Sequence, residues 1–284
     1  MRTGRGDFAV IPAAQPAADH SVLLAAYDVS LGYHGVTVVR GVSLQVRPGE
    51  AVGVAGESGS GKSTLARALA GDLAPMHGSV LVNGRVWPKV RRSDPERRSV
   101  QMIFQDPYSA LNPRMTARQA LSETLHVVRG LSRRDAADEA GGMLTRVGLS
   151  GAAIDARPGR LSGGQRQRVV IARAIACEPD VLIADEPTSS LDVSIQAQIL
   201  DLLIDLRTER GLALVLVTHD LAVLGHMTDT CLVMQAGRVV EEGPTEQILA
   251  HPQHSYTRAL VGAHLGVSVA GSGPPPAPDE HGEA

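Results

Sequence analysis

Gly56-Glu57-Ser58-Gly59-Ser60-Gly61-Lys62-Ser63 constrains the fold more than any other stretch of this 284-residue chain. It matches Gly-x-x-x-x-Gly-Lys-Ser/Thr at every fixed position. Ala51-Val52-Gly53-Val54-Ala55 before it reads as a buried strand, and Thr64-Leu65-Ala66-Arg67-Ala68-Leu69 after it as a helix. A strand, a Gly-rich turn and a helix in that order make a phosphate cradle. The glycines let backbone N–H groups turn inward, and the helix N-terminus adds its positive end. In that context Lys62 neutralises the β- and γ-phosphates of a nucleotide and Ser63 ligates Mg²⁺. Gly56, Glu57, Ser58, Gly59, Ser60, Gly61 and Thr64 complete the binding turn.

Three further apolar runs end in polar residues suited to the same chemistry. Val181-Leu182-Ile183-Ala184 leads into Asp185 and Glu186. An acid at such a strand end holds Mg²⁺, a role for Asp185, while Glu186 faces the γ-phosphate and polarises an attacking water. Alone, such an end is more often a turn with solvated acids; the upstream cradle favours the metal reading. Gln105 follows Val100-Gln101-Met102-Ile103-Phe104 and is placed to touch Mg²⁺ or the water. His219 follows Leu214-Val215-Leu216-Val217-Thr218 and is placed to hydrogen-bond a γ-phosphate. Tyr33, one of four tyrosines, precedes the core strands, where it either stacks on adenine or packs at a strand end.

Arg160-Leu161-Ser162-Gly163-Gly164-Gln165 raises a different question. Ser162 followed by Gln165 reads as a capping box, so a helix begins here. Gly163 and Gly164 leave its first-turn N–H groups uncovered, a second anion site far from Lys62.

Composition fits a soluble globular chain, with 43% hydrophobic and 20% charged residues. A net charge of −3 argues against binding nucleic acid through bulk charge. Arg91-Arg92 and Arg97-Arg98 read as solvated loop charge. Two Phe, four Tyr and one Trp against 30 Gly imply an aliphatic core with many special backbone positions. Cys177 and Cys231 have no metal-ligand spacing and read as small buried hydrophobes. No apolar run reaches the ~18 residues of a membrane span. Phe8–Ile11, interrupted by Pro12, is too short for a signal-peptide core, so the expected location is cytoplasmic.

Along the chain, 1–20 reads as a loose tail and 263–284 as a Pro/Gly-rich tail, disordered over 271–284. Strand-like runs fall at 21–31, 42–47, 51–55, 80–82, 99–104, 181–184, 212–217 and 230–235. Asn83-Gly84 and Ala236-Gly237 each mark a hairpin. From Thr116 to Gly148 the apolar spacing turns helical, as an insert between two halves of an α/β core.

Taken in order, Tyr33, the cradle at 56–63, Gln105, Leu161-Ser162-Gly163-Gly164-Gln165, Asp185-Glu186, Ser190-Leu191-Asp192 and His219 resemble the ATP-binding cassette (ABC) ATPases. The likeness covers roughly 22–260. It implies an α/β fold: a P-loop NTPase core with a mainly parallel sheet, an N-terminal antiparallel β subdomain and a helical signature subdomain at about 106–175, all within 21–262. It also implies head-to-tail pairs of ATPase subunits. Each ATP then lies between one chain's Lys62 and the other's Ser162, Gly163, Gly164 and Gln165, with Asp192 across the same interface. This answers the question of two phosphate sites: each is half of one.

The segments 104–116 and 251–260 look like importer ATPases for dipeptides, oligopeptides and nickel, closer to the second ATPase of such pairs. An accessory ATPase of a soluble complex remains an alternative. The likeness implies ATP and Mg²⁺ as cofactors. Its implied partners are a second ATPase subunit, two membrane permeases and, indirectly, an extracytoplasmic solute-binding protein, with no nucleic acid. The implied location is the cytoplasmic face of the cell membrane. Tyr108, Ala110, Leu111 and Met115 are expected to form a groove for a permease helix.

Overall fold

The computed structural model describes residues 21–87, 96–189 and 191–265. Arg91-Arg92, Ser190, the segment 1–20 and residues 266–284 lie outside the described residues.

Two sheets make the framework. The smaller contains β1 (Leu24–Tyr33), β2 (Val36–Val46), β4 (His77–Val82) and β5 (Arg85–Val86), all antiparallel, in the order β2-β1-β4-β5. The larger contains β3 (Ala51–Ala55), β6 (Val100–Ile103), β7 (Val181–Asp185), β8 (Ala213–Val217), β9 (Thr230–Gln235) and β10 (Arg238–Pro244). Its order is β10-β9-β3-β8-β7-β6, parallel except for the hairpin partner β10.

The continuous apolar runs of the parallel strands follow from burial on both faces. Along β3, β7, β8 and β9, alternate residues enter two separate cores. Val52, Val54, Ile183, Val215 and Met234 face the antiparallel sheet and α1 (Lys62–Leu69). Ala55, Leu182, Ala184, Leu214 and Val233 face the helical layer. Both cores are overwhelmingly aliphatic, and among the described residues Trp87 is the one aromatic side chain that is fully buried.

The helical insert is α3 (Ala117–Arg129) and α4 (Arg133–Arg146), packed on α5 (Gly163–Ala176). Thr116 and Gln119 cap α3 reciprocally, and Gly130 ends it at φ 68°. The remaining helices are α2 (Glu96–Ser99), α6 (Val193–Arg210), α7 (Leu221–Met227), α8 (Thr245–Ala250) and α9 (Ser255–Leu265).

Several expectations need correction. β2 starts at Val36 rather than at 42, because its pairing with β1 shifts register near Gly41 (φ 61°). That bulge interrupts the sequence pattern without ending the strand. Arg97 is not solvated loop charge: it is half-buried, 4.5 Å above the Trp87 ring, whereas Arg98 stays exposed while donating to the Val128 carbonyl. Cys231 is buried, but Cys177 is only half-buried. The expected tail from 263 overlaps α9, which continues to Leu265. Leu111 lines no groove; it is 5% exposed and belongs to the helical-layer core.

The correction at Leu111 makes a stability prediction. Leu111→Ala is expected to cost about 2–5 kcal/mol in denaturant unfolding, through the lost contacts and the cavity left behind. Val127→Arg, at a position 73% exposed on α3, is expected to change stability by no more than about 0.5 kcal/mol.

Candidate functional site

Because β3, β8, β7 and β6 are parallel neighbours, their carboxyl ends share one edge of the sheet. The polar residues that follow them emerge there side by side, where open α/β sheets hold their ligands. Across this edge stand the turn leading to Lys62, then His219, Asp185 with Glu186, and Gln105. Glycines, Lys62, Gln105, Glu186 and His219 line a cleft of about 500 Å³ over the turn.

The turn itself requires its glycines. Gly56, Gly59 and Gly61 have φ of 142°, 81° and 102°. A Cβ on Gly56 would sit 2.3 Å from the Met234 carbonyl oxygen. Lys62 begins α1 and is 5% exposed. Its Nζ donates to the carbonyls of Gly56 (2.7 Å) and Glu57 (2.8 Å). Burial lowers its pKa, against the raising influence of Glu186, Asp185 and Glu57. Ser63 Oγ donates to Asp185 Oδ1 at 3.1 Å. Burial raises the Asp185 pKa, against that hydrogen bond. The Ser60 hydroxyl is buried with no partner.

These features fit a magnesium nucleotide. A buried ammonium held only by carbonyls accepts an anion, and a buried carboxylate beside a serine hydroxyl accepts a hard cation. Among the described residues no cluster of three or more His, Cys, Asp or Glu side chains could hold a metal ion. Mg²⁺ does not need one, since it binds through one or two protein oxygens, water and phosphate.

Glu186 is the convergence point. Its backbone is held in the left-handed region, φ 46°, rare for a non-glycine residue. Its N–H donates to the Val217 carbonyl at 2.8 Å, and its own carbonyl accepts from Ser189. The side chain is thereby turned inward, 17% exposed. Gln105 Nε2 donates to Oε2 at 3.0 Å, and His219 Nδ1 lies 3.3 Å from Oε1. The three residues assigned to catalysis from the sequence thus meet at one carboxylate.

The segment expected to form the second anion site stays apart. Ser162, Gly163, Gly164, Gln165 and Asp192 do not line the cleft. Ser162 caps α5 as expected: its Oγ accepts from Gln165 N, and its N–H donates to Gln165 Oε1. A Cβ on Gly164 would lie 2.3 Å from Ile195 Cγ2. The start of α5 therefore packs directly on the start of α6, which Asp192 caps through Ile195 N. Tyr33 ends β1, 39% exposed, also outside the cleft lining.

The sequence reading assigned no site role to three residues that the fold brings here. Tyr256 accepts a hydrogen bond from Glu57 N, and Leu260 and His264 line the cleft. Their signal in the sequence was a spacing of four along one helix face.

A second hollow, about 680 Å³, opens between the end of β6 and the helical insert. Phe104, Ala110, Val127, Val170 and Arg173 line it. Tyr108 and Met115 are not in its lining; the Tyr108 ring lies 5.5 Å from the Arg166 guanidinium.

Comparison with known proteins agrees with this geometry. The family described as ABC transporter matches residues 39–189. The probable peptide ABC transporter ATP-binding protein y4tS of Sinorhizobium fredii is 48% identical over 80% of this chain and 65% of its own length. The probable D,D-dipeptide transport ATP-binding protein DdpF of Escherichia coli is 43% identical over 80% of this chain and 70% of its own. The chain thus spans about two thirds of the length of these relatives. Among solved structures, the ADP- and Pi-bound dimer of the ATP-binding cassette MJ0796 superposes with a TM-score of 0.71 at 29% identity, covering 78% of this chain and 99% of that one. Cleft, sheet order and sequence together place the chain in the ABC transporter family, as an ATPase cassette.

Proposed function

We propose that this chain is the ATP-hydrolysing, energy-coupling subunit of an importer for peptides or a related small solute, with 21–262 as its ATPase unit. It works at the cytoplasmic face of the cell membrane with a second ATPase subunit and two permeases. An extracytoplasmic solute-binding protein is an indirect partner. The observation that carries this reading is the meeting of Gln105 and His219 on Glu186 beside Lys62, while Ser162–Gln165 stands outside that cleft. The peptide-transport names of the relatives support the cargo class.

In this reading Lys62, held by its two carbonyl partners, turns its third N–H to the β- and γ-phosphates, and the N–H groups of Gly59 to Thr64 close around them. Tyr33 stacks on the adenine. Ser63, Asp185 and Gln105 would hold Mg²⁺, which would neutralise charge on the phosphate oxygens. Glu186 accepts the proton of the attacking water, and His219, beside that carboxylate, donates towards the γ-phosphate. Ser162, Gly163, Gly164 and Gln165 serve the partner's nucleotide, and Asp192 lies across that interface. Phe104 and Val127, exposed beside the hollow at the helical insert, meet a permease helix.

Glu186→Gln is expected to bind Mg-ATP and slow hydrolysis by about 10²–10⁴, the contribution of a general base. Single-turnover assays of the assembled complex check this, and near-normal turnover would move the base elsewhere.

Lys62→Ala is expected to lose nucleotide affinity in the isolated subunit. Ser162→Arg should keep that affinity but stop hydrolysis in the complex. Equal loss of binding in both variants, by titration with a fluorescent ATP analogue, would rule out the shared site.

Val127→Arg and Phe104→Glu are expected to impair transport and association with permeases while sparing ATP binding by the isolated subunit. Cysteine cross-linking from these positions to permease cytoplasmic loops tests the contact. Normal transport without cross-links would place the membrane partner on another face.

A further inference from the structure

The peptide unit joining Gly56 to Glu57 is gripped at both ends. Its carbonyl oxygen accepts Lys62 Nζ at 2.7 Å, and its N–H donates to Tyr256 Oη at 3.0 Å. Gly56, at φ 142°, has no side chain to restrict rotation of that unit. Were the unit to flip, its carbonyl would turn away from Lys62 and the ammonium would lose one of its two partners. The tyrosine hydroxyl opposes this, from a residue 199 positions further along the chain.

Tyr256 is presented from a well-anchored helix. Glu241 on β10 accepts from Gln253 N at 2.7 Å and from His254 N at 3.0 Å, just before α9 begins. The Tyr256 N–H donates to His254 Nδ1, and Arg258 closes back on the Gln253 carbonyl. Leu260 and Val261, 4% and 1% exposed, sink α9 into the helical-layer core. Tyr256, Leu260 and His264 recur every four residues on one face of the helix, and all three meet the turn or the cleft above it.

We propose that Tyr256 is a positioning residue of the nucleotide site. By holding the Gly56–Glu57 peptide, it keeps the lysine anchorage and the entrance of the turn in a binding-ready shape before ATP arrives. This rests on the reading that Lys62 and its turn hold the phosphates. Once bound, the phosphates organise the turn themselves, so the contribution of Tyr256 lies in binding rather than in the chemical step.

The test compares full-length wild-type protein with Tyr256→Phe, which keeps the ring and removes the hydroxyl. A hydrogen bond of ordinary strength predicts ATP binding and KM weakened about two- to tenfold. The kcat of the assembled complex should stay within about twofold, the pattern for lost uniform binding. Amide hydrogen exchange should quicken in the peptide containing Gly56–Gly61 and nowhere else, with the melting temperature unchanged. Unaltered affinity and KM would overturn the proposal. So would a fall in melting temperature with faster exchange throughout, which marks a purely structural tyrosine. Lys62→Ala in the same titration separates the two readings. If it binds ATP like wild type, the phosphate-site reading fails; if it loses binding while Tyr256→Phe does not, only the role of Tyr256 fails.

Discussion

The parallel pairing of β3 with β8, and of β8 with β7, is the constraint on which the site depends. Val54 and Asp185 both pair with Val217, so the three chains leave the sheet at one level, each about 4.8 Å from the next. Lys62, His219 and Glu186 need no long loops to reach one another. The register is firmly set because both faces of these strands are buried. A slip by one residue would exchange Val52 and Val54 with Gly53 and Ala55 between two differently shaped cores.

On that edge the protein holds groups that are individually unfavourable. Lys62 is a buried cation resting on carbonyl oxygens, and Asp185 a buried carboxylate whose hydrogen-bond partner is a serine hydroxyl. Glu186 adds a left-handed backbone. Such costs persist only where surrounding structure fixes them, and here the fully buried strands do so. The charges that burial penalises are those that phosphate and Mg²⁺ would complement.

Helix α5 joins this edge to the rest of the molecule. Its first turn carries Ser162 and Gly164, the latter packed on Ile195 of α6. Further along, Arg173 donates to the Ala110 carbonyl in the segment after Gln105. A helix of 14 residues spans about 21 Å. One rod therefore touches the Ser162 turn, the start of α6 and the hollow beside the helical insert. Displacement of its N-terminus must be felt at the other end, because close packing transmits strain.

The sequence by itself determined the Gly-rich turn before α1, both hairpins, the capping box at Ser162 and the polar residues that follow β6, β7 and β8. These are local: each rests on a spacing or a backbone demand within a few residues. It also yielded the expectation of an α/β core with a helical insert, since apolar period changes between Thr116 and Gly148. What only the tertiary structure decided is what distant segments do to one another. Leu111 sits in a polar-looking loop but joins the helical-layer core. Arg97 looks solvated until Trp87 comes under it. Glu186, Gln105 and His219 were separate strand ends until parallel pairing made them neighbours. Tyr256 had no local reason to serve Glu57; the fold of α9 against β10 and α7 supplied it. The physical reason is common to all four: hydrogen bonds and burial join residues far apart in sequence, so the spacing within one segment, even the four-residue spacing of Tyr256, Leu260 and His264, does not name what it will face.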